Sequence, residues 1–579
     1  MQVTNHNRVW MPVAVFLLVF LVYGISLGNQ FVWDDEESIV QNQLIHSLSN
    51  LPKFFTGGIF NSYGSGLTGG FYRPLTTTVM AVLWALSDDP WIFRLFQVSL
   101  HATAVVLLFF FLQRWFRLWP AFAGALVFAV HPGISEAVLW ISTIADPLAT
   151  ALLLASLLLF SKHIESAALF FFLALLTKES SIAFLPVFFY PSYSGLQPEG
   201  AAKRIRGVYA GTNLSCFSIL LPDNRGKQSP RSAALWLGTA SALYALLRIS
   251  AVGFGVSSLA FPSPIARADV ARRLLSVPAE ITYYVRTFLW PFPLSISRHF
   301  VITHPSDIQF WGSLIILVIG VVLLVKHRNR RTMVFTLWFA LGLLPYLQFV
   351  PLSATVADRW LYLPSIGLIG LILIFLERLP KRVVTVICGT VVLVFSLLTI
   401  QRSLQWKNGL TLFTHDVSVN PGSFDLANNY GVELFRAGDT GAARKAFERS
   451  INLNPAWWVA YNNAGAVSER LGDTQKAEAL YRTSMDRGSY YLAYENLAKL
   501  LLFKKEKPQE AKDVASRGLT AFRTSANLWL VYTVASYQTG NKNEAIAAAR
   551  RLYALAPNDQ TAAILSKITN NLPLEFINP

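Results

Sequence analysis

Cysteine is almost absent. Cys216 and Cys388 are the two in 579 residues, and Cys388 lies inside an apolar run, which excludes a disulfide framework. Charge is also scarce: 14% of the residues are charged, against roughly 25% in soluble domains, so most of the chain is excluded from a water-soluble fold. His and Cys are not spaced as metal ligands. The glycine-rich stretch at 57–70, GGIFNSYGSGLTGG, has no Lys-Ser/Thr helix start behind it, so it is not a phosphate-cradling P-loop and reads as an acceptor loop. The first apolar stretch, 10–28, follows a single firm charge, Arg8, and lacks an Ala-x-Ala cleavage site. It reads as a retained anchor and not as a signal peptide.

What is present is hydrophobic and basic: 53% apolar residues and a net charge of +16. Basic residues do not gather on one aromatic-interleaved face, which argues against nucleic-acid binding. They fall in short clusters between apolar runs: Arg114/Arg117, Lys162, Lys203/Arg204/Arg206, Arg225/Lys227/Arg231, Lys326/Arg328/Arg330/Arg331 and Arg378/Lys381/Arg382. That distribution follows the positive-inside rule of a multi-pass protein. Apolar runs at 10–28, 91–112, 119–132, 137–160, 166–177, 180–191, 233–254, 308–325, 332–349, 360–376 and 383–400 predict about eleven spans. With a cytoplasmic N-terminus every basic cluster falls on one side. The acidic groups from Asp34 to Glu37, together with Asp88, Asp89, Glu136, Glu179 and Asp358, then fall on the other. Residues 73–87 and 272–292 would break that rule as spans and are read as helices along the outer interface; the alternative is that both cross.

Composition changes after residue 400, and an internal repeat appears. Gly431 and Gly465, Gly438 and Gly472, Ala443 and Ala477, and Phe447 and Tyr481 are each 34 residues apart. That is the tetratricopeptide period, with small residues where paired helices touch and a turn at Gly-Asp. Two looser copies begin near Tyr491 and Ala526, and Pro455 and Pro557 close repeats. The fold class is therefore all-α: a polytopic membrane domain at 1–400 with an acidic outer loop at 29–72, a linker at 401–422, about four repeats at 423–560 and a tail at 561–579. A stacked solenoid offers a groove for extended peptide, with Trp457, Trp458 and Trp529 as candidates to line it.

The remaining ionisable residues map to one membrane boundary. They are Asp34 and Asp35 in GNQFVWDDEES, Arg73 in FYRPLTT, His131, Glu136 and Asp146 in HPGISEAVLWISTIADPLA, Lys178 and Glu179 in LTKESS, and Asp358 and Arg359 in ATVADRWLYLPSIGL. Ionisable groups bordering spans are costly and mark function by default. Together they describe a cavity with both signs of charge.

The motifs FVWDD, FYRPL, HPGISEAV, ADPLA, LTKES and DRWLYLPSIG, then QWKNGLTLF running into repeats, resemble those of the transmembrane and tetratricopeptide repeat-containing (TMTC) proteins. The membrane part more distantly resembles protein O-mannosyltransferases and other GT-C glycosyltransferases. This chain has STIADP where those relatives show GRAD, and a basic insert near 195–232 has no counterpart in the pattern. The resemblance implies a sugar, mannose first, carried on a polyprenyl phosphate and transferred at the outer face without a metal or other cofactor. Such a transfer needs a carboxylate base for the acceptor hydroxyl and cations for the leaving phosphate. Asp34 or Asp35 is the candidate base, and Arg359, Arg73 and Lys178 are the candidate phosphate partners. Glu136, Asp146, Glu179, Asp358 and His131 are candidates for support.

The implied partners are a lipid-linked donor, membrane lipids and a protein or peptide acceptor in the repeat groove. The expected place is a bacterial inner membrane with the repeats outside. Competing readings are transfer to a glycan or lipid, a transporter, and a non-enzymatic scaffold. Residues 1–400 show no paired span repeats of the transporter kind. The sequon at Asn213 falls on the cytoplasmic side of this topology and carries no weight.

Overall fold

The computed structural model describes residues 10–58, 71–189, 230–253 and 263–574. The basic insert at 195–232 lies outside these apart from its last three positions, as do Asn213 and most of the glycine-rich stretch at 57–70. The described residues are helical and fall into two compact units, a membrane unit reaching to His415 and a repeat unit from Asp416.

In the membrane unit, runs of Leu, Phe, Val and Ala form helices whose starts are set by proline and aspartate. Pro74 and Pro90 occupy first-turn positions where their missing N–H costs nothing. Asp89, Asp269 and Asp307 cap helices by accepting backbone N–H bonds. Among the described residues, six helical stretches are long and apolar enough to cross a bilayer: Trp10–Gly28, Pro90–Leu112, Ile141–Leu159 (a short 3-10 turn leading into a helix), Arg231–Val252, Ile308–Lys326 and Lys381–Gln405. Five apolar helices are shorter, among them Leu118–Val130, Ile164–Thr177, Glu179–Phe189 and Ser365–Leu376. Pro74–Leu86, expected at the interface, belongs to the same short class and packs on Ile164–Thr177. The chain is a membrane protein.

Two expectations change. The run 137–160 is not one continuous helix: Trp140 and Ile144 interrupt it, and the regular helix is Ala145–Leu159. The segment before it, 131–144, is a series of short turns buried almost throughout, so it is a floor of the unit and not an exposed turn. The stretch 401–422 is also largely helical, split between the end of Lys381–Gln405 and Gly409–Val419.

Gly370 sits against the side chain of Phe335 on the facing membrane helix. A methyl group there would overlap the Phe335 ring on helix Arg330–Leu343, the close approach that small residues permit between membrane helices. Gly370→Leu should therefore cost about 3 kcal/mol or more, read as a lowered thermal midpoint in detergent.

The repeat unit contains four helix pairs: Phe424–Arg436 with Thr440–Leu453, Trp458–Arg470 with Thr474–Arg487, Tyr491–Lys499 with Pro508–Ala521, and Ala526–Gln538 with Lys542–Leu555. Helix Asp559–Thr569 closes the array. The 34-residue pattern is explained by contact: a Cβ on Gly431 would lie 2.7 Å from the Phe447 ring, and one on Gly465 would lie 2.7 Å from the Tyr481 ring. Trp457 is buried against Phe424 and so belongs to the core. The Trp529 indole N–H donates to the Arg523 carbonyl.

Candidate functional site

The chain leaves the first helix through Asn29 and Gln30 and is immediately fastened. Arg94, buried in helix Pro90–Leu112, donates to the carbonyls of Asn29 and Leu139 at 2.8 Å each, and also to that of Gln30. Gln97 on the same helix donates to the carbonyls of Ala137 and Trp140. From the other side, Asn29 Nδ2 donates to the Ser403 carbonyl at 2.9 Å, and Gln30 N–H to the Lys407 carbonyl at 3.0 Å.

The two aspartates then part company. Asp35 is fully buried, and both its oxygens are occupied: Oδ1 accepts from Ser142 N–H at 2.8 Å and from Ser142 Oγ at 2.6 Å, and Oδ2 accepts from Val32 N–H at 3.1 Å. Asp34 is half-buried, and its carboxylate takes no hydrogen bond from a described residue. Burial pushes the Asp34 carboxyl up to about 7; Glu37 and Asp35 add to the rise, and Arg359 opposes it.

Trp33, between them and the helix, has φ of +61°, a left-handed conformation that costs a bulky residue roughly 1–2 kcal/mol. Its ring stacks on Trp140, with centroids 4.4 Å apart and planes 13° from parallel. The Arg359 guanidinium lies 5.0 Å from the same Trp140 ring.

Arg359 is held by Glu136: Nη1 donates to Oε1 at 2.5 Å, and the Arg359 backbone N–H donates to Oε2 at 3.1 Å. Burial alone would lower the guanidinium, and Glu136 more than offsets this, so Arg359 is held above its ordinary value. Arg359 also lies 5.5 Å from the Trp360 ring, and Trp360 stacks on Tyr346 at 5.0 Å. Lys178 sits 5.5 Å from the same Tyr346 ring and pairs with Asp146 at 2.5 Å. The next residue, Glu179, forms a two-pronged pair with Arg73 at 2.7 and 2.9 Å. Three cations and three carboxylates from distant parts of the chain therefore form one connected row, linked by aromatic rings.

Asp358 accepts from the Tyr283 hydroxyl at 2.6 Å, which ties the row to helix Val270–Leu289. His131 stands apart. It is fully buried, one ring nitrogen lies 2.9 Å from the Phe288 carbonyl, the other accepts from Gly133 N–H, and the ring stacks on Phe288. Both ring nitrogens are used in holding the floor segment, so His131 is a structural residue.

No family model matches the chain. Among curated proteins, a protein O-mannosyl-transferase of Caenorhabditis elegans is 26% identical over 450 residues, covering 74% of this chain and 60% of that protein. Protein O-mannosyl-transferase TMTC4 of Homo sapiens is 26% identical over 494 residues, covering 75% of this chain and 65% of its own length. TMTC3 of Mus musculus is 24% identical over 480 residues, covering 74% and 49%. The chain is TMTC-like. It spans about half to two thirds of the length of these relatives. Among solved structures, the tetratricopeptide protein YrrB is 16% identical with a TM-score of 0.25, covering 28% of this chain and 82% of that one. At that score the likeness carries no argument, and the repeat fold rests on the TMTC-like chain's own helix pairs.

Sequence reasoning picks out every charged member of the row but not its frame. Arg94 escapes it, although a lone arginine in the apolar run WIFRLFQV is a legible signal. Ser142, Trp140, Trp360 and Tyr346 carry no charge and have no signal of their own in this TMTC-like sequence.

Proposed function

We propose that this chain is a membrane glycosyltransferase that moves a sugar, mannose first, from a polyprenyl-phosphate donor to a hydroxyl of a polypeptide. The observation that carries the reading is the contrast within the acidic pair. Asp35 is saturated by hydrogen bonds, whereas Asp34 is half-buried, unbonded by described residues and within electrostatic reach of Arg359.

In this mechanism Asp34 takes the proton of the acceptor hydroxyl as that oxygen attacks the anomeric carbon. The bond from the anomeric carbon to the phosphate oxygen breaks, and polyprenyl phosphate leaves with the electron pair. A single displacement inverts the anomeric configuration. Arg359 is the first partner for the leaving phosphate: Glu136 accepts from its Nη1 and backbone N–H, and no described residue bonds its Nε–H or Nη2. Lys178 and Arg73 extend the positive row, with Asp146 and Glu179 orienting them. Glu136, Asp146 and Glu179 are already paired with cations, so the transfer is read as metal-independent. The acceptor reading draws on the repeat unit and on the relatives' names, and the charge pattern supports a site on the non-cytoplasmic face of the membrane, which we read as a bacterial inner membrane.

The test is to incubate the purified full chain with radiolabelled polyprenyl-phosphate mannose and a peptide library. Label on Ser or Thr side chains is expected, and label confined to added glycan or lipid, or no label, overturns the peptide reading. The base must be ionised to work, so the rate should rise with pH through a limb near 7 and fall below it. A chelator should leave that rate unchanged.

A further inference from the structure

We propose that Trp33 is a positioning residue for the transfer: its left-handed backbone and its stack on Trp140 fix the direction in which Asp34 leaves the turn. The inference rests on the reading of Asp34 as the base.

The residues around Asp34 are pinned one by one. Val32 N–H is held by Asp35, Asp35 is held by Ser142, and the Trp33 ring is held flat against Trp140. The Trp33 carbonyl accepts from Glu36 N–H, and the Asp34 carbonyl accepts from Ser38 N–H. Of the two aspartates in this turn, Asp34 is the one whose side chain takes no hydrogen bond from a described residue, while the backbone on either side of it is held. Phe413 also meets the Trp33 ring edge-on, at 6.3 Å and 85°.

Glycine would adopt φ of +61° without steric cost, and this position carries tryptophan instead. A strained conformation kept on a large residue points to a use for the ring. That ring rests on Trp140, the same indole that carries Arg359 at 5.0 Å on its surface. The base and the phosphate cation are thus both referred to one rigid surface, which sets the span between the two ends of the reaction. Trp33 and Trp140 act through Asp34 and Arg359 and not on the reacting atoms.

The test compares Trp33→Gly and Trp33→Phe with Asp34→Asn in the labelled-donor assay, using the full-length purified protein. Trp33→Gly permits the turn but removes the ring. It should lower kcat about 100-fold while leaving the donor KM within about threefold, the pattern of a misplaced group and not of lost binding. Its acid limb should also move down in pH, because a base released from the turn is better solvated. The charged groups facing Asp34 are Glu37 and Asp35 on its own turn and Arg359 opposite, and none of them is altered. Trp33→Phe keeps a ring to stack and should stay within about tenfold of the parent.

Wild-type kcat and pH profile in Trp33→Gly overturn the inference. If Trp33→Gly does not fold, Trp140→Leu, which removes the other ring of the stack, is read in its place, and an unchanged kcat there overturns it equally. Activity retained by Asp34→Asn removes the base on which this inference rests, and absence of activity from the parent defeats the transferase reading itself, whatever the Trp33 variants do.

Discussion

Asp34→Asn should abolish the proposed transfer and leave the fold intact, whereas Asp35→Asn should damage the fold. The first substitution removes the group proposed to take the acceptor proton. General-base help is worth typically about 10²–10⁴-fold, so kcat should fall by that factor or to background. Stability should barely move, because the Asp34 carboxylate makes no hydrogen bond with a described residue. At Asp35 the amide would bring its own N–H groups against donors that the carboxylate now satisfies, Ser142 N–H and Val32 N–H. Leaving a buried donor unsatisfied costs about 1–3 kcal/mol, so Asp35→Asn should show a lowered thermal midpoint along with reduced activity. Matched melting curves and rates for the two variants decide the assignment. Full activity in Asp34→Asn, or equal melting of both variants, would remove it.

Arg94→Met should be the most destabilising single change in the membrane unit. It strips donors from three carbonyls, those of Asn29, Gln30 and Leu139, at a buried position. It also removes the positive charge that opposes the burial of Asp35. Breaking a buried charged arrangement by deleting one partner costs about 3–5 kcal/mol. The measurement is the yield of monodisperse protein and its thermal midpoint in detergent. Arg94→Lys should recover only part of the loss, because an ammonium cannot hold three divergent carbonyls with the geometry of a guanidinium.

Periodicity and misplaced charge are the two features of this chain that can be read without coordinates. The solenoid is legible because Gly431/Phe447 and Gly465/Tyr481 are contact pairs, and contact pairs must recur together. Arg73, Lys178, Arg359 and their carboxylates are legible because charge beside an apolar run demands a partner. The choice between Asp34 and Asp35 is not, since it depends on Ser142, an uncharged residue more than a hundred positions away. His131 is a supporting candidate in the sequence, and in the structure its ring nitrogens meet the Phe288 carbonyl and the Gly133 N–H. The floor at 131–144 is hidden for a related reason. Its polar backbone is satisfied by Arg94, Gln97 and Thr143, and a window that scores apolar length cannot see such satisfaction.

The anchoring of Asn29 and Gln30 on Ser403 and Lys407 bears on how this chain should be cut. A truncation at residue 400, where composition changes, would sever the bonds that restrain the loop before Asp34. Loss of activity in such a fragment would be mistaken for a role of the repeats in choosing the acceptor. Chimeras that graft another solenoid onto this membrane half should keep everything through His415 and join beyond it.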